Sequence, residues 1–204
     1  SFDTVLLHQV LHFAADPFPA LAEAARVIRK GGRIAIVDFA AHQREELRDR
    51  HQHARLGFSD RQMAELLRDA GFDNFSVNVG GDLTTSGDQS AEESGWVTGI
   101  LEPQDRGTIL AAIRLTPEFP AMATSGSAER GEHIWLRPET TKDFVQATVI
   151  AEDIITADVL ATAIIAGGQA TLDQITQNFA VAVMTVAPDG ALQANAKFQE
   201  LVAR

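Results

Sequence analysis

The sequence contains no cysteine among its 204 residues. Disulfide bonds, thiolate metal sites and cysteine nucleophiles are therefore excluded, and we expect a cytoplasmic protein. No uninterrupted apolar run approaches the roughly 20 residues that cross a bilayer, so we expect no membrane segment. The chain opens at Ser1 with a strand-like run and without a signal segment, from which we expect a start inside a fold.

Basic residues are also scarce. The 17 lysines and arginines stand against 28 aspartates and glutamates, which gives a formal net charge of -11. A surface that binds nucleic acid needs an excess of positive charge against the phosphates, so we expect no nucleic-acid partner. Hydrophobic residues make up 45% of the chain, an ordinary share for a globular protein with one substantial domain or two small ones.

The first 40 residues predict a strand, a helix and a second strand. Residues 4–7 form a short apolar run, and Asp16-Pro17 marks a helix start, where proline costs nothing. Apolar positions then follow helical spacing up to 30–32, where a lysine followed by two glycines predicts the helix end. The run at 33–39 predicts a buried strand. Such an order with short connections predicts a parallel pair.

Two segments of this region carry a recognisable pattern, FDTVLLHQVLH at 2–12 and AARVIRKGGRIAIVD at 24–38. They resemble the later half of a class I methyltransferase that uses S-adenosylmethionine, where they would be the fourth strand, its helix and the fifth strand. The sequence contains neither the glycine-rich cofactor loop nor the acidic ribose ligand that such a family carries earlier. Methyl transfer is therefore only a second alternative for this chain.

Five of the six histidines lie in the first 53 residues. His8 and His12 have the spacing of a helical ligand pair, but they are expected on a strand end and the loop after it. His42, His51 and His53 lie in a charged stretch that predicts a solvated helix face, so we expect surface histidines there.

One stretch near the C-terminus carries the strongest chemical signal. Thr156 is the expected N-cap of a helix that ends near 167–168, and Asp158 is expected in its first turn. Asp158 and Thr162 are four residues apart, so they share one helix face. A carboxylate beside a hydroxyl suits a hard cation such as Mg²⁺, which is often shared with substrate phosphates. The alternative is that Thr156 caps the helix, Asp158 complements the helix dipole, and Thr162 packs without binding a ligand.

The segment TVIAEDIITADVLATA at 148–163 resembles the C-terminal signature of the ApbE-like flavin transferases, the FAD:protein FMN transferases. The resemblance implies that Asp158 and Thr162 bind Mg²⁺. From residue 75 onward the sequence is similar to that family throughout, including NVGGD at 78–82, ATSG at 123–126 and HIW at 133–135.

The resemblance also implies the rest of a flavin site. The residues it places beside the flavin nucleotide are Asn78, Gly80, Gly81, Asp82, Thr124, Ser125, Gly126 and Ile134. It implies that His133 acts as general base near the transferred phosphoryl group. The family often has His-Ile-Ile-Asp-Pro where this chain has HIWLRP at 133–138, so that aspartate is lost. Taken alone, the glycine pair and the hydroxyl-rich segment are also typical of tight turns.

A helix predicted at 59–71, capped by Ser59 with Gln62 in the capping-box position, is similar to both families. We therefore expect the two resemblances to join between Gly57 and Phe75. The predicted fold is mixed α/β, with a short parallel Rossmann-like βαβ fragment at 1–71 joined to an α+β flavin-transferase-like domain at 72–204. The family's N-terminal half, with a Lys-Gly-x-x-x-Asp region that helps to hold the metal, is missing or replaced here.

The implied function is Mg²⁺-dependent transfer of FMN from FAD, as substrate, to a threonine or serine hydroxyl of an acceptor protein. The alternative is a catalytically inactive fusion with at most weak binding of FAD or Mg²⁺. The parallel strand pair exposes edges that the rest of the chain or a second copy must cover, so a homodimer is one expected arrangement.

Overall fold

The computed structural model describes residues 1–79, 81–90, 92–105, 107–126 and 143–203. The chain divides into two compact units, Ser1–Val79 and Gly80–Arg204. The first contains a parallel strand pair with helices, and the second an antiparallel sheet with a long helix. This confirms the predicted mixed α/β class. The predicted boundary between 71 and 72 concerns family segments and stays a prediction.

The first unit begins with the predicted strand, helix and strand, but the expectation of a buried strand at 33–39 was wrong, because the second strand has no fully buried residue. These are β1 (Phe2–His8), α1 (Phe18–Val27) and β2 (Ile28–Val37), with a 3₁₀ turn at Leu11–Phe13. The two strands are parallel, with Thr4 opposite Arg33 and His8 opposite Val37. The predicted parallel pair is therefore confirmed.

Helix α1 ends earlier than the glycine pattern predicted. The expected end at 30–32 was wrong, because the helix stops at Val27 and Ile28 is already extended. Ile28 pairs with Phe2, and the register shifts before Arg33 pairs with Thr4. Strand pairing therefore captures the chain directly after Val27, and the glycines lie in an irregular part of β2 instead of capping the helix.

The rest of this unit holds α2 (Glu46–His51), α3 (Asp60–Asp69) and β3 (Phe75–Val79). The capping box of α3 is confirmed. The Gln62 amide donates to Ser59 Oγ at 3.3 Å, and the Ser59 amide donates to the Gln62 side chain at 3.0 Å. The amphipathic face of α3 contributes to a buried core made of Leu11, Leu21, Phe58, Met63, Ala64, Leu67, Phe75 and Val77.

The second unit contains seven described strands and two described helices. They are β4 (Asp82–Ser86), β5 (Trp96–Leu101), β6 (Ile109–Leu115), β7 (Ala121–Gly126), β8 (Gln146–Ala151), α4 (Ile154–Asn178), β9 (Ala182–Val186), β10 (Leu192–Ala194) and α5 (Ala196–Leu201). Within this unit the sheet runs in the order β10-β9-β8-β7-β4, and each neighbouring pair is antiparallel. Strands β5 and β6 form a separate antiparallel pair.

Each face of this sheet has its own core. Helix α4 packs against β7 and β8 on one face, where the buried side chains include Ala123, Val149, Ala157, Ala161, Ile164 and Val183. The β5–β6 pair and α5 cover the other face, where they include Ile100, Ile113, Leu115, Met122, Ile150 and Phe198. The alternation of side chains along β7 therefore decides which residues can meet α4.

Helix α4 is interrupted where the sequence predicted its end. Gly168 has φ 64° and ψ -155°, so two helical segments meet there at a kink. By length and composition α4 could cross a membrane, with a mean hydropathy of 1.4 over its most apolar window. Its buried residues, however, lie against the sheet. The share of this stretch that is buried within the protein is 28%.

Candidate functional site

The start of α4 is capped by Asp153 and not by Thr156. The Thr156 amide donates to Asp153 Oδ1 at 2.9 Å, and the Thr156 hydroxyl donates to Asp153 Oδ2 at 2.6 Å. The prediction of Thr156 as N-cap was wrong, since aspartate is the stronger cap and lies just before the first helical residue. The hydrogen bond from the Thr156 hydroxyl lowers the pKa of Asp153 most, and the hydrogen bond from the Thr156 backbone amide lowers it further.

The cap also fixes where the predicted metal pair lies. Because α4 begins at Ile154, Asp158 falls in the second turn, and the first turn contains no acidic residue. The expectation that Asp158 lies in the first turn, where the helix dipole favours a negative charge, was therefore wrong. Asp158 and Thr162 are both exposed and share one face of the helix, while Ala157 and Ala161 are buried on the other.

Strand β7 brings one predicted hydroxyl to this pair. Ser125 Oγ lies 3.0 Å from Thr162 Oγ1, so the strand and the helix are joined by a hydrogen bond at the site. Thr124 points to the opposite face of the sheet, where its hydroxyl lies 2.9 Å from that of the fully buried Thr148. The structure therefore brings Ser125 to Thr162 and directs Thr124 away from them.

Gly126 has a packing reason of its own. A Cβ atom built on this residue would lie 2.5 Å from the carbonyl oxygen of Val145. A Cβ atom does not approach a carbonyl oxygen so closely, so only glycine fits where β7 pairs with the start of β8. Gly126 thus keeps β7 close to β8 at the residue that follows Ser125.

The remaining flavin-site predictions fall on several parts of the chain. Asn78 lies on β3, at the end of the first unit, whereas Gly81 and Asp82 lie in the turn before β4 and at its first position. The predicted base His133, and with it Gly80 and Ile134, lies outside the described residues. The family-derived roles of these residues stay predictions.

The oxygen donors at this site suit a cation that is also ligated by water and substrate better than one enclosed by protein ligands alone. Asp158 supplies a carboxylate and Thr162 a hydroxyl, both oxygen ligands that suit Mg²⁺, and the Ser125 hydroxyl is bonded to that of Thr162. In the part of the chain that the structure describes, no group of three or more histidine, aspartate or glutamate side chains is placed to hold a metal ion. Mg²⁺ usually keeps several waters and binds substrate phosphates as well, so one carboxylate with hydroxyls is sufficient.

Sequence reasoning missed a cluster of rings in the first unit. His53 was expected at the surface, but its side chain is only 8% exposed, so that prediction was wrong. Its ring centroid lies 4.2 Å from that of His12 and 5.6 Å from that of Phe39. Burial lowers the pKa of His53, and the neighbouring His12 lowers it further. Phe13 and Phe39 near the histidines were the signal that could have indicated a buried cluster.

Comparison with known proteins gives two family matches. Residues 56–185 match the ApbE family, and residues 1–36 match a methyltransferase domain. The chain is 26% identical to the FAD:protein FMN transferase of Salmonella typhimurium, over 89% of this chain and 55% of that protein. It is 27% identical to that of Klebsiella pneumoniae, over 66% of this chain and 41% of that protein. The chain thus spans about half the length of these curated relatives.

Solved structures show the same likeness in the fold. The ApbE protein of Thermotoga maritima matches with a TM-score of 0.55 and 21% identity, over 92% of this chain and 75% of that one. The flavin transferase ApbE of Vibrio cholerae matches with a TM-score of 0.56 and 21% identity, over 90% and 73%. The apo flavinyl transferase ApbE of Pseudomonas stutzeri matches with a TM-score of 0.55 and 24% identity, over 73% of this chain and 54% of that one.

Proposed function

This chain belongs to the ApbE family, and from that premise we propose that it transfers FMN from FAD to a threonine or serine hydroxyl of an acceptor protein with the help of Mg²⁺. The observation that carries the proposal is the group formed by Asp158, Thr162 and Ser125. The three residues come from a helix and a strand of the sheet, and the described hydrogen bond holds two of them together.

The reaction is a phosphoryl transfer. The acceptor hydroxyl oxygen attacks the phosphorus of the FMN half of FAD, the bond to the AMP half breaks, and AMP leaves. The products are the FMN ester of the acceptor protein and AMP. The hydroxyl proton passes to a base, for which the family resemblance supplies His133.

The chain's own residues contribute mainly position and charge. Asp158 offers a carboxylate, and Thr162 a hydroxyl, to a cation that neutralises charge on the pyrophosphate of FAD. Both side chains project from a helix that is packed on the sheet and capped by Asp153, so their positions are fixed before substrate binds. The exposure of both residues leaves room for waters and for substrate oxygen atoms.

An inactive fusion that binds FAD weakly or not at all is the competing function. It is favoured by the loss of the aspartate that the family resemblance places in HIWLRP at 133–138. The two candidates differ in whether AMP is released from FAD in the presence of an acceptor.

Thermal melting tests whether the chain binds FAD through the proposed cation site. We expect FAD with Mg²⁺ to raise the melting temperature of the chain, since a ligand at a hundred times its Kd stabilises by about 2.7 kcal/mol. The shift should need Mg²⁺ and should disappear in Asp158→Ala. Glu152→Ala is the matched control, because Glu152 is an exposed acid just before the same helix.

A transfer assay then tests the reaction itself. Incubation with FAD, Mg²⁺ and peptides that contain threonine or serine should release AMP and add the mass of FMN to a peptide. A melting shift without release of AMP leaves the inactive, FAD-binding alternative. No shift at saturating FAD contradicts the flavin-site proposal, and a shift with S-adenosylmethionine instead would favour the methyltransferase alternative.

A further inference from the structure

The hydrogen bond between Ser125 and Thr162 has a consequence for the direction of the Thr162 hydroxyl. We propose that Ser125 is a positioning residue, which orients Thr162 so that its oxygen lone pairs face the cation of the proposed reaction. The inference rests on the proposed function and deepens it, because it assigns Ser125 to the cation site through Thr162 and not to the flavin nucleotide.

The chemistry of a hydroxyl group decides which way the Thr162 hydrogen must turn. Thr162 Oγ1 carries one hydrogen and two lone pairs, and the hydrogen rotates to suit its surroundings. A hydroxyl that ligates a cation must direct its hydrogen elsewhere, since the hydrogen is positive. Ser125 Oγ, 3.0 Å away, can accept that hydrogen. With the hydrogen held by Ser125, a lone pair of Thr162 is left for the cation.

The position of Ser125 is itself fixed by the sheet. Ser125 pairs with Ala147 across β7 and β8, and Gly126 pairs with Gln146. A side chain at 126 would collide with the backbone of Val145, so the two strands are held at close approach beside Ser125. Ala147 is fully buried under α4, so this part of the sheet cannot move without opening the core.

The neighbouring hydroxyl shows that the arrangement is specific to one face. Thr124 precedes Ser125, yet it lies on the other face and pairs with Thr148. Successive side chains of a strand point to opposite faces, so only one of two adjacent hydroxyls can reach α4. Ser125 is the one that does.

The test measures how much Mg²⁺ is needed to stabilise the full chain with FAD. In the chain at saturating FAD, Mg²⁺ is titrated and the midpoint of the melting-temperature rise is recorded. Loss of a side chain that orients a metal ligand typically weakens metal affinity by about 10–100-fold. We expect Ser125→Ala to raise the Mg²⁺ midpoint by about tenfold, and Ser125→Thr, which keeps the hydroxyl, to restore it.

A double-mutant cycle shows whether Ser125 acts through Thr162. In a Thr162→Val background, adding Ser125→Ala should change the Mg²⁺ midpoint no further, because the group that Ser125 orients is already gone. Direct binding of Mn²⁺, followed by its paramagnetic resonance signal, provides a readout independent of FAD and of activity. Ser90→Ala, in an exposed turn of the same unit, is the control for loss of a serine hydroxyl.

Each outcome has one meaning. An unchanged Mg²⁺ midpoint in Ser125→Ala, with a lost shift in Asp158→Ala, overturns the positioning role and leaves the proposed function intact. Weaker FAD binding at every Mg²⁺ concentration in Ser125→Ala also overturns it, because Ser125 would then contact the nucleotide. No Mg²⁺-dependent shift in the unmodified chain overturns the proposed function itself. If Ser125→Ala does not fold, Ser125→Cys replaces it, since a thiol keeps the size but accepts hydrogen bonds weakly.

Discussion

Nδ1 of His12 and Oδ1 of Asp38 lie 2.7 Å apart, and the two side chains are only 2% and 4% exposed. Asp38 also accepts the amide of Leu11 at 2.9 Å, so one carboxylate fixes both the backbone and the ring of the 3₁₀ turn. The ring of His53 lies against that of His12. Within the described residues, Nδ1 of His53 has no hydrogen-bond partner. One nitrogen of a buried titratable ring is thus left without a hydrogen bond.

The first prediction is that acid destabilises the first unit, because the buried His53 resists protonation in the folded state. The pKa of His53 is lowered from its ordinary value of 6.5 by burial and then by His12, His51 and His42, with Asp38 acting in the opposite direction. The unfolded chain keeps the ordinary value and therefore binds more protons as the pH falls. Above pH 6.5 the ring is neutral in both states and the free energy of unfolding is at its full value. It falls as the pH drops from 6.5 toward the lowered pKa.

The measurement is hydrogen exchange of residues 1–79 as a function of pH. His53→Phe keeps a ring in the cluster without a titrating group, so it should flatten the loss of protection on acidification. His8→Gln removes an exposed histidine and should leave the pH dependence unchanged. Fluorescence cannot replace hydrogen exchange here, because the two tryptophans, at 96 and 135, lie outside residues 1–79. An equal loss of protection in His53→Phe and the unmodified chain would contradict the prediction.

Most of the secondary structure could be predicted from local patterns. The capping box at Ser59 and the interruption at Gly168 were visible because caps and glycines act within a few residues. The end of α1 was missed because the pairing of Ile28 with Phe2 joins residues 26 apart in sequence. Local helix-end signals carry no information about such a partner, which is decided by tertiary pairing.

The candidate site was predictable to a similar degree. The shared face of Asp158 and Thr162 follows from helical periodicity, and it was confirmed. The different directions of Thr124 and Ser125 also follow from the pleat of a strand, but only after β7 is known to be a strand. The burial of His53 was missed because its neighbours His12 and Phe39 come from distant parts of the chain, so the phenylalanines near the histidines indicated which rings could cluster but not that the fold brings them together.

The second prediction concerns the Asp153 cap. Asp153→Ala should lower the free energy of unfolding by about 1 kcal/mol, because two donors of Thr156 lose their acceptor. Asp153→Asn should cost less, since an amide oxygen still caps. The pKa of Asp153 is lowered in the folded state, so the stability from this group is present above pH 3.8 and is lost as the pH falls below it. Urea unfolding at neutral and acid pH measures both effects, with Glu152→Ala as control; a full cost in Glu152→Ala would contradict the assignment.

The third prediction concerns the close approach at Gly126. Gly126→Ala should destabilise the second unit by about 1–3 kcal/mol, because the new methyl group meets the Val145 carbonyl and the strands must separate. Gly99→Ala is the matched control, since Gly99 also lies in a strand and its Cβ would come no closer than 3.4 Å to the Ile109 side chain. Denaturant unfolding followed by tryptophan fluorescence measures the difference. Equal stability of the two variants would show that β7 and β8 can part without cost.

The fourth prediction concerns the kink in α4. Gly168 has φ 64° and ψ -155°, a backbone conformation that only glycine adopts readily. Gly168→Ala should therefore cost about 1–3 kcal/mol of stability, although the residue lies far along the helix from Asp158. The second helical segment is also held by Asp143, which accepts the amide of Gln169 at 2.9 Å, so the strain cannot be relieved by straightening the helix without losing this bond. Urea unfolding measures the cost. A variant that is as stable as the unmodified chain would show that α4 can run straight through Gly168.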